Sequence, residues 1–158
     1  MRRIRTWIVM LGVAAAVLVV VPVASAGPTY QLHYVDIGGA AQTQVDKDRD
    51  GVFDSGDYMT LNDQVAFVDG SPVADPRLFG PGSLSGRLTA LGGDSARADV
   101  SLRIPAGSIA VRGVFSFSGQ TGFVASAFGT NGLFKGMTGT VDIVFNSLGG
   151  PDLYVTLR

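Results

Sequence analysis

Cysteine and glutamate are both absent from this chain of 158 residues, and histidine and tryptophan occur once each. Without cysteine, a disulfide framework, cysteine-ligated zinc and thiol catalysis are all excluded. All thirteen acidic residues are aspartate. Glutamate favours helix interiors whereas aspartate favours turns and caps, so this bias argues against a helical architecture. The lone histidine, His33, cannot build a histidine-rich metal site, and in strand alternation beside Tyr34 it reads as a half-buried strand residue. Other signatures are missing too. No G-x-S-x-G elbow or triad spacing appears, and the glycine-rich stretch from Gly129 to Gly139 lacks the Lys-Ser/Thr pair and following helix of a phosphate loop. Outside one acidic stretch, no two aspartates present themselves as the paired carboxylates of a glycosidase.

The N-terminus has a clear order. Arg2, Arg3 and Arg5 precede an apolar run from Trp7 to Val21, Pro22 ends the run, and the small residues Ala24-Ser25-Ala26 close it. Basic, apolar and A-x-A segments in that order read as a cleaved secretory signal over residues 1–26, leaving residues 27–158 as one domain. The run is shorter than the roughly 20 residues that span a bilayer. An uncleaved anchor is the alternative. Cleavage would remove three of the twelve basic residues and none of the thirteen acidic ones, taking the formal net charge from −1 to −4. Such an acidic domain has no basic face to offer nucleic acid. The expected location is secreted, extracellular or in the cell envelope, with no stable membrane span after cleavage.

From Gly27 onward, short segments rich in β-branched and aromatic residues alternate with Gly, Asp, Asn, Ser and Pro, the pattern of a sandwich or barrel. The expected strands are Tyr30 to Ile37, Asp57 to Phe67, Gly82 to Leu91, Ala96 to Ile104, Ser108 to Ser118, Gly122 to Phe128, Thr138 to Phe145 and Asp152 to Leu157. Ala98, Val100, Leu102 and Ile104 alternate with Arg97, Asp99, Ser101 and Arg103, giving one buried and one wet face. Gly113 punctuates the phase of Ile109, Val111, Phe115 and Phe117 and suggests a bulge or bend. Eight short antiparallel strands suffice to close a barrel and remove exposed edges, so the expected fold class is all-β, a closed eight-stranded antiparallel barrel.

The strongest local chemical signal is Asp46-Lys47-Asp48-Arg49-Asp50-Gly51-Val52-Phe53-Asp54-Ser55-Gly56-Asp57. Its first six positions match the D-x-D-x-D-G calcium loop, with Asp54 ninth and Asp57 twelfth. A hard cation needs six to eight oxygens, and alternate aspartates converge on one point only where a glycine lets the chain turn sharply. The expected ligands are the carboxylates of Asp46, Asp48 and Asp50, the Val52 carbonyl, Asp54 directly or through water, and Asp57 closing the site of a structural Ca2+. Strand-like sequence follows, so the loop joins strands rather than EF-hand helices. The alternative is a solvated acidic turn partly neutralised by Lys47 and Arg49.

Three segments resemble the dirigent and allene oxide cyclase-like barrel family, including its small secreted bacterial members. Leu32-His33-Tyr34-Val35-Asp36-Ile37-Gly38-Gly39 is similar to the F-Y-x-H-D-I-x-G stretch of plant dirigent proteins. Phe53-Asp54-Ser55-Gly56-Asp57, followed by a strand and Asp63, resembles an F-S-x-G-D element of bacterial relatives. The segment Gly129-Thr130-Asn131-Gly132-Leu133-Phe134-Lys135-Gly136-Met137-Thr138-Gly139 resembles a G-G-T-G-x-F-x-x-A-x-G signature. Two positions depart from the plant pattern: Thr138 stands where an Arg is frequent, and His33 is offset by one residue.

The resemblance implies an eight-stranded barrel with a hydrophobic cavity, in plants often trimeric, that guides the coupling or cyclisation of reactive intermediates. It places Asp36 at a position linked to acid catalysis. The local alternative for Asp36 is a strand-end cap or turn former. The leading expectation is a secreted barrel binding a small apolar or aromatic molecule, with Tyr34, Phe115, Phe117, Phe128 and Phe145 as wall residues unless they simply fill the core. An isomerase or cyclase using Asp36 is the second reading. A ligand-free envelope scaffold is the third.

Overall fold

The structure is a computed structural model that describes residues 27–38, 42–73, 75–118, 121–145 and 150–158. The expected signal segment, residues 1–26, lies outside the described residues. Among the described residues nine strands form one sheet: β1 (Tyr30–Gly38), β2 (Thr43–Val45), β3 (Tyr58–Ser71), β4 (Gly82–Gly92), β5 (Ser95–Ile104), β6 (Gly107–Ser116), β7 (Gly122–Gly132), β8 (Thr138–Phe145) and β9 (Pro151–Leu157). Their order is β1-β9-β8-β7-β6-β5-β4-β3-β2, and an additional antiparallel pairing of β1 with β3 closes eight of them into a barrel. Each expected strand is present, with ends shifted by up to four residues. Two elements were not expected. One is β2, which pairs only with the start of β3, where β1 has already ended. The other is a single 3₁₀ turn, η1 (Pro76–Phe79). Both are too short to carry a periodic signal.

Alternation decides what faces inward. Ala96, Ala98, Val100, Leu102 and Ile104 of β5 are buried, as are Leu32 and Tyr34 of β1 and Leu153, Val155 and Leu157 of β9. The opposite phase of β4 to β6 carries Arg87, Arg97, Arg103 and Arg112; Asp99, opposite Arg87 and Arg112 in register, pairs with Arg97 at 2.8 Å and Arg112 at 3.6 Å. Basic side chains therefore do gather on one outer face, although net charge alone suggested none. The expected bulge at Gly113 is not found. The β5–β6 register runs straight through Ala98↔Gly113. The glycine instead permits close packing, since a Cβ there would lie 3.0 Å from the Ala125 methyl.

The two ends of the barrel differ. One is plugged by aromatic rings. Tyr30 and Phe134 meet edge-on at 5.5 Å, Phe79 lies 6.1 Å from Tyr30 and 6.3 Å from Phe134, and Phe67 bridges Phe79 to Tyr34. The Tyr34 hydroxyl donates to the Phe79 carbonyl at 3.3 Å, and burial pushes its pKa far above the ordinary range. Backbone bonds lace three loops together here. Ala106 N–H donates to Leu78 O at 2.7 Å, and Leu133 N–H donates to Ala106 O at 2.8 Å. At the other end Ala90, Ala96 and Ala98 are buried, the rings of Phe115, Phe117 and Phe145 line the rim without filling it, and the barrel stays open. Among the described residues no helix is long and apolar enough to cross a membrane.

Candidate functional site

The open end holds a cavity of about 380 Å3 with an apolar wall of Met59, Leu61, Leu84, Leu88 and Phe145. Two carboxyls, Asp36 and Asp63, share it. Both point inward by strand alternation. Asp36 continues the Leu32, Tyr34 phase of β1, and Asp63 precedes the inward Val65 on β3. The β1–β3 register pairs Asp36 with Val65, which brings the two aspartates together diagonally. The expectation that no carboxylate pair exists outside the acidic loop is thus overturned, because the pairing depends on a register between distant segments.

The two acids have different surroundings. Asp63 is buried, 8% exposed, and accepts a bond from Gln64 N–H at 2.9 Å. Burial raises its pKa, the Gln64 N–H opposes this, and the neighbouring Asp36 carboxyl raises it further. Asp36 accepts the Gly38 N–H at 2.7 Å through Oδ1, so the turn-forming role holds. Its other face also borders the cavity. A Cβ on Gly150 would lie 2.5 Å from Asp36 Oδ2, so only a glycine there leaves the carboxyl its place. A buried carboxyl whose surroundings favour its protonated form, beside a second carboxyl and facing an apolar space, is placed to exchange a proton with a bound molecule.

The expected wall residues divide. Phe115 is buried and Phe145 lines the mouth of the cavity. Phe117 lies just past β6 and is half exposed, next to Phe115. Tyr34 belongs to the plugged end rather than to the cavity. Phe128 is 40% exposed, in the outward phase of β7 opposite the buried Ala125 and Ala127, and lines no interior space. Met59, Leu61 and Leu88 were missed, and the inward phase of their strands was the available signal.

The acidic loop sits beside the same opening. Gly56 N–H donates to Ala90 O and Ala90 N–H to Asp57 O, fastening the loop to the end of β4. Its aspartates fold the loop around themselves. Asp46 accepts from Arg49 N–H at 2.5 Å and Gly51 N–H at 2.8 Å, and Asp50 accepts from Val52 N–H at 2.7 Å. Asp57 is buried at 1% exposure and accepts from Lys47 and Asp54 N–H. One carboxylate oxygen each of Asp46, Asp48 and Asp50 lie within 4.8 Å of one another, as do those of Asp48, Asp54 and Asp57. An all-oxygen, all-carboxylate donor set suits a hard cation. The Gly51 N–H holds the Asp46 carboxyl below its ordinary pKa. Partial desolvation and then the charges of Asp50, Asp57 and Asp46 push Asp54 up. For Asp48 the Asp50 N–H pulls downward most, yet desolvation and the Asp46, Asp50 and Asp54 carboxyls together push it up.

His33 faces outward as expected of a half-buried strand residue. It stacks on Tyr154 at 4.2 Å, with Nδ1 3.7 Å from Asp69. The outer groove it lines, about 510 Å3, is larger than the barrel cavity but lies on the wall rather than in the interior.

No family model matches the sequence, and no curated protein matches it. Solved structures do. The chain superimposes on AbnU, an exo-specific intermolecular Diels-Alderase, with a TM-score of 0.55 at 14% identity, covering 82% of this chain and 95% of that one. The Diels Alderase AbmU from Streptomyces koyangensis gives 0.58 at 17% identity over 80% of this chain, which spans 60% of AbmU. The pterocarpan synthase dirigent protein GePTS1 gives 0.56 at 12% identity, covering 91% and 96%. The closed antiparallel barrel expected from the dirigent resemblance is therefore the barrel this chain adopts. It is the fold of a dirigent protein and of two Diels-Alderases.

Proposed function

We propose that this protein is an exported barrel that takes a small, largely apolar molecule into its open end and acts on it as an isomerase or cyclase, with the Asp36 and Asp63 carboxyls as its acid–base groups. The observation that carries this reading is the pair of inward carboxyls, one of them buried, against an apolar cavity wall. Two Diels-Alderases and a pterocarpan synthase dirigent protein share this fold, and ring-forming chemistry in such a space fits them. Asp63, the better buried, is the proton donor. Asp36, held by Gly38 N–H and Gly150, positions and recharges it. The apolar wall excludes water from a reactive intermediate. A titration of isotope-labelled protein with benzaldehyde, followed by amide shifts, tests the site. Shifts centred on Asp36, Leu61, Asp63 and Leu88 are expected, and Asp63→Asn should weaken the response. Shifts scattered over the outer wall would sink the reading.

The same proposal includes a structural calcium ion in the 46–57 loop, held by Asp46, Asp48, Asp50, Asp54 and Asp57 with the Val52 carbonyl. Its support is the two overlapping carboxylate groups and their mutual repulsion. Bound there, the ion would supply charge neutralisation and loop order, not chemistry. Thermal melts with calcium, with magnesium and with chelator decide it. Calcium alone should raise the midpoint by several degrees. An unchanged midpoint reduces the loop to a solvated turn. Export rests on the order of residues 1–26, and the N-terminal mass of the protein recovered outside the cytoplasm tests it, with Gly27 expected first.

A further inference from the structure

The acid cavity does not end at its own wall. A second hollow, also about 380 Å3, shares Leu88 and Phe145 with it and adds Phe115, Ser116 and Phe117. The rings of this second lobe are fixed by one another. Phe115 stacks on Phe123 at 4.5 Å and 13°, Phe117 meets Phe115 edge-on at 5.1 Å, and Phe53 of the acidic loop meets Phe117 edge-on at 6.0 Å. Phe117 and Phe145 nevertheless leave 51% and 43% of their surface exposed, and both flank this one hollow. Two exposed phenylalanines converging on a single concave rim form a shelf for a flat apolar group, which single scattered ones do not. Charge narrows the choice further. Among the described residues lining either lobe there is no lysine, arginine or histidine, while Asp36 and Asp63 stand in the first. A carboxylate or phosphate group on the ligand would find no cation and two acids.

We infer that the open end takes a neutral, two-part ligand: an oxygen-bearing head, a carbonyl, enol or hydroxyl, reaching the carboxyls, and a planar unsaturated or aromatic body lying on Phe115, Phe117 and Phe145. This deepens the proposed function and rests on it. Each lobe alone is near the lower end of the roughly 300–1,000 Å3 range of small-molecule sites, and the two joined at Leu88 and Phe145 accommodate a larger molecule. An offset-stacked or edge-on contact between ligand and shelf adds selectivity for planar bodies beyond simple area burial.

The test compares two neutral carbonyl probes on the full chain. Benzaldehyde is small enough for the acid lobe alone, whereas 6-propionyl-2-dimethylaminonaphthalene carries the same kind of head on a longer flat body. The anionic 1-anilinonaphthalene-8-sulfonate serves as the charge control. Phe117→Ser alters a half-exposed side chain and is expected to fold, which circular dichroism checks. Leu133→Ser, an equally exposed residue at the plugged end, controls for non-specific adhesion. The expected result is that Phe117→Ser weakens the naphthalene ketone by roughly three- to tenfold, leaves benzaldehyde unchanged, and that Leu133→Ser affects neither. If Phe117→Ser changes neither probe, the shelf is overturned while the acid lobe stands. If neither probe binds the wild-type chain, both readings fall together. Binding of the sulfonate as tight as that of the ketone would overturn the neutral-ligand assignment.

Discussion

Replacing Asp57 by alanine should be among the most damaging single changes in the acidic loop, with or without a cation. Its carboxylate is 1% exposed and accepts two backbone N–H groups, Lys47 at 2.8 Å and Asp54 at 3.2 Å. These tie the two ends of the loop to one buried point. Hydrogen bonds to a charged acceptor contribute about 1.5–3 kcal/mol each. The longer one belongs near the bottom of that range, and both donors lie in partly exposed backbone, where water recovers some of the loss. The expected destabilisation of Asp57→Ala is therefore about 2–3 kcal/mol. For a domain of this size that corresponds to a fall in melting midpoint of roughly 6–15 °C. Asp57→Asn keeps one acceptor oxygen and should lose about half as much. The assay is a thermal melt in chelator, so that no cation contributes. Asp54→Ala is the comparator, because removing Asp54 relieves repulsion among neighbouring carboxylates. In chelator it should leave the midpoint unchanged or raise it. An Asp57→Ala midpoint within 2 °C of wild type would refute the argument that this side chain anchors the loop.

Two further outcomes follow from the barrel interior. Because the folded-state pKa of Asp63 lies above its ordinary value of 3.8, the folded protein holds this proton more tightly than the unfolded chain. The ionised group therefore costs stability at neutral pH, and the cost fades as pH falls through the raised pKa towards 3.8. Asp63→Asn should melt higher than wild type at pH 7, by an amount on the order of 1 kcal/mol, with the gap closing in acid; a pH-independent gap would contradict this. Gly139→Ala should be severe, since its Cβ would overlap the backbone carbonyl of Thr156 on β9, which cannot yield as a flexible side chain could. A loss of roughly 3 kcal/mol or more in denaturant midpoint is expected, and near-wild-type stability would show that β8 and β9 can separate locally.

How much of this was legible beforehand varies by element. Period-two alternation marked β5 and β6 to within two residues, since β5 has one wholly buried face and β6 buries Ile109, Val111 and Phe115 on one side. It could not mark β2, three residues long, or η1, which exists because Asp75 caps a proline-initiated turn under the aromatic plug. The aspartate spacing marked the acidic loop, because its ligands are neighbours in the chain. Phe128 looked like a wall residue by composition but falls in the outward phase of β7, which its buried neighbours Ala125 and Ala127 could have indicated.

What the chain alone determines is all-β character, the strand positions, a strand count that suffices to close a barrel, the acidic loop and the place of Asp36 near the end of its first strand. Which strands meet to close the barrel, that aromatic rings plug one end while those at the other leave a cavity, and that Asp36 meets Asp63 were decided only in three dimensions. The reason is register. The two aspartates lie on strands joined by the pairing of β1 with β3 that closes the barrel, and a slip of one residue would turn either side chain to the outside.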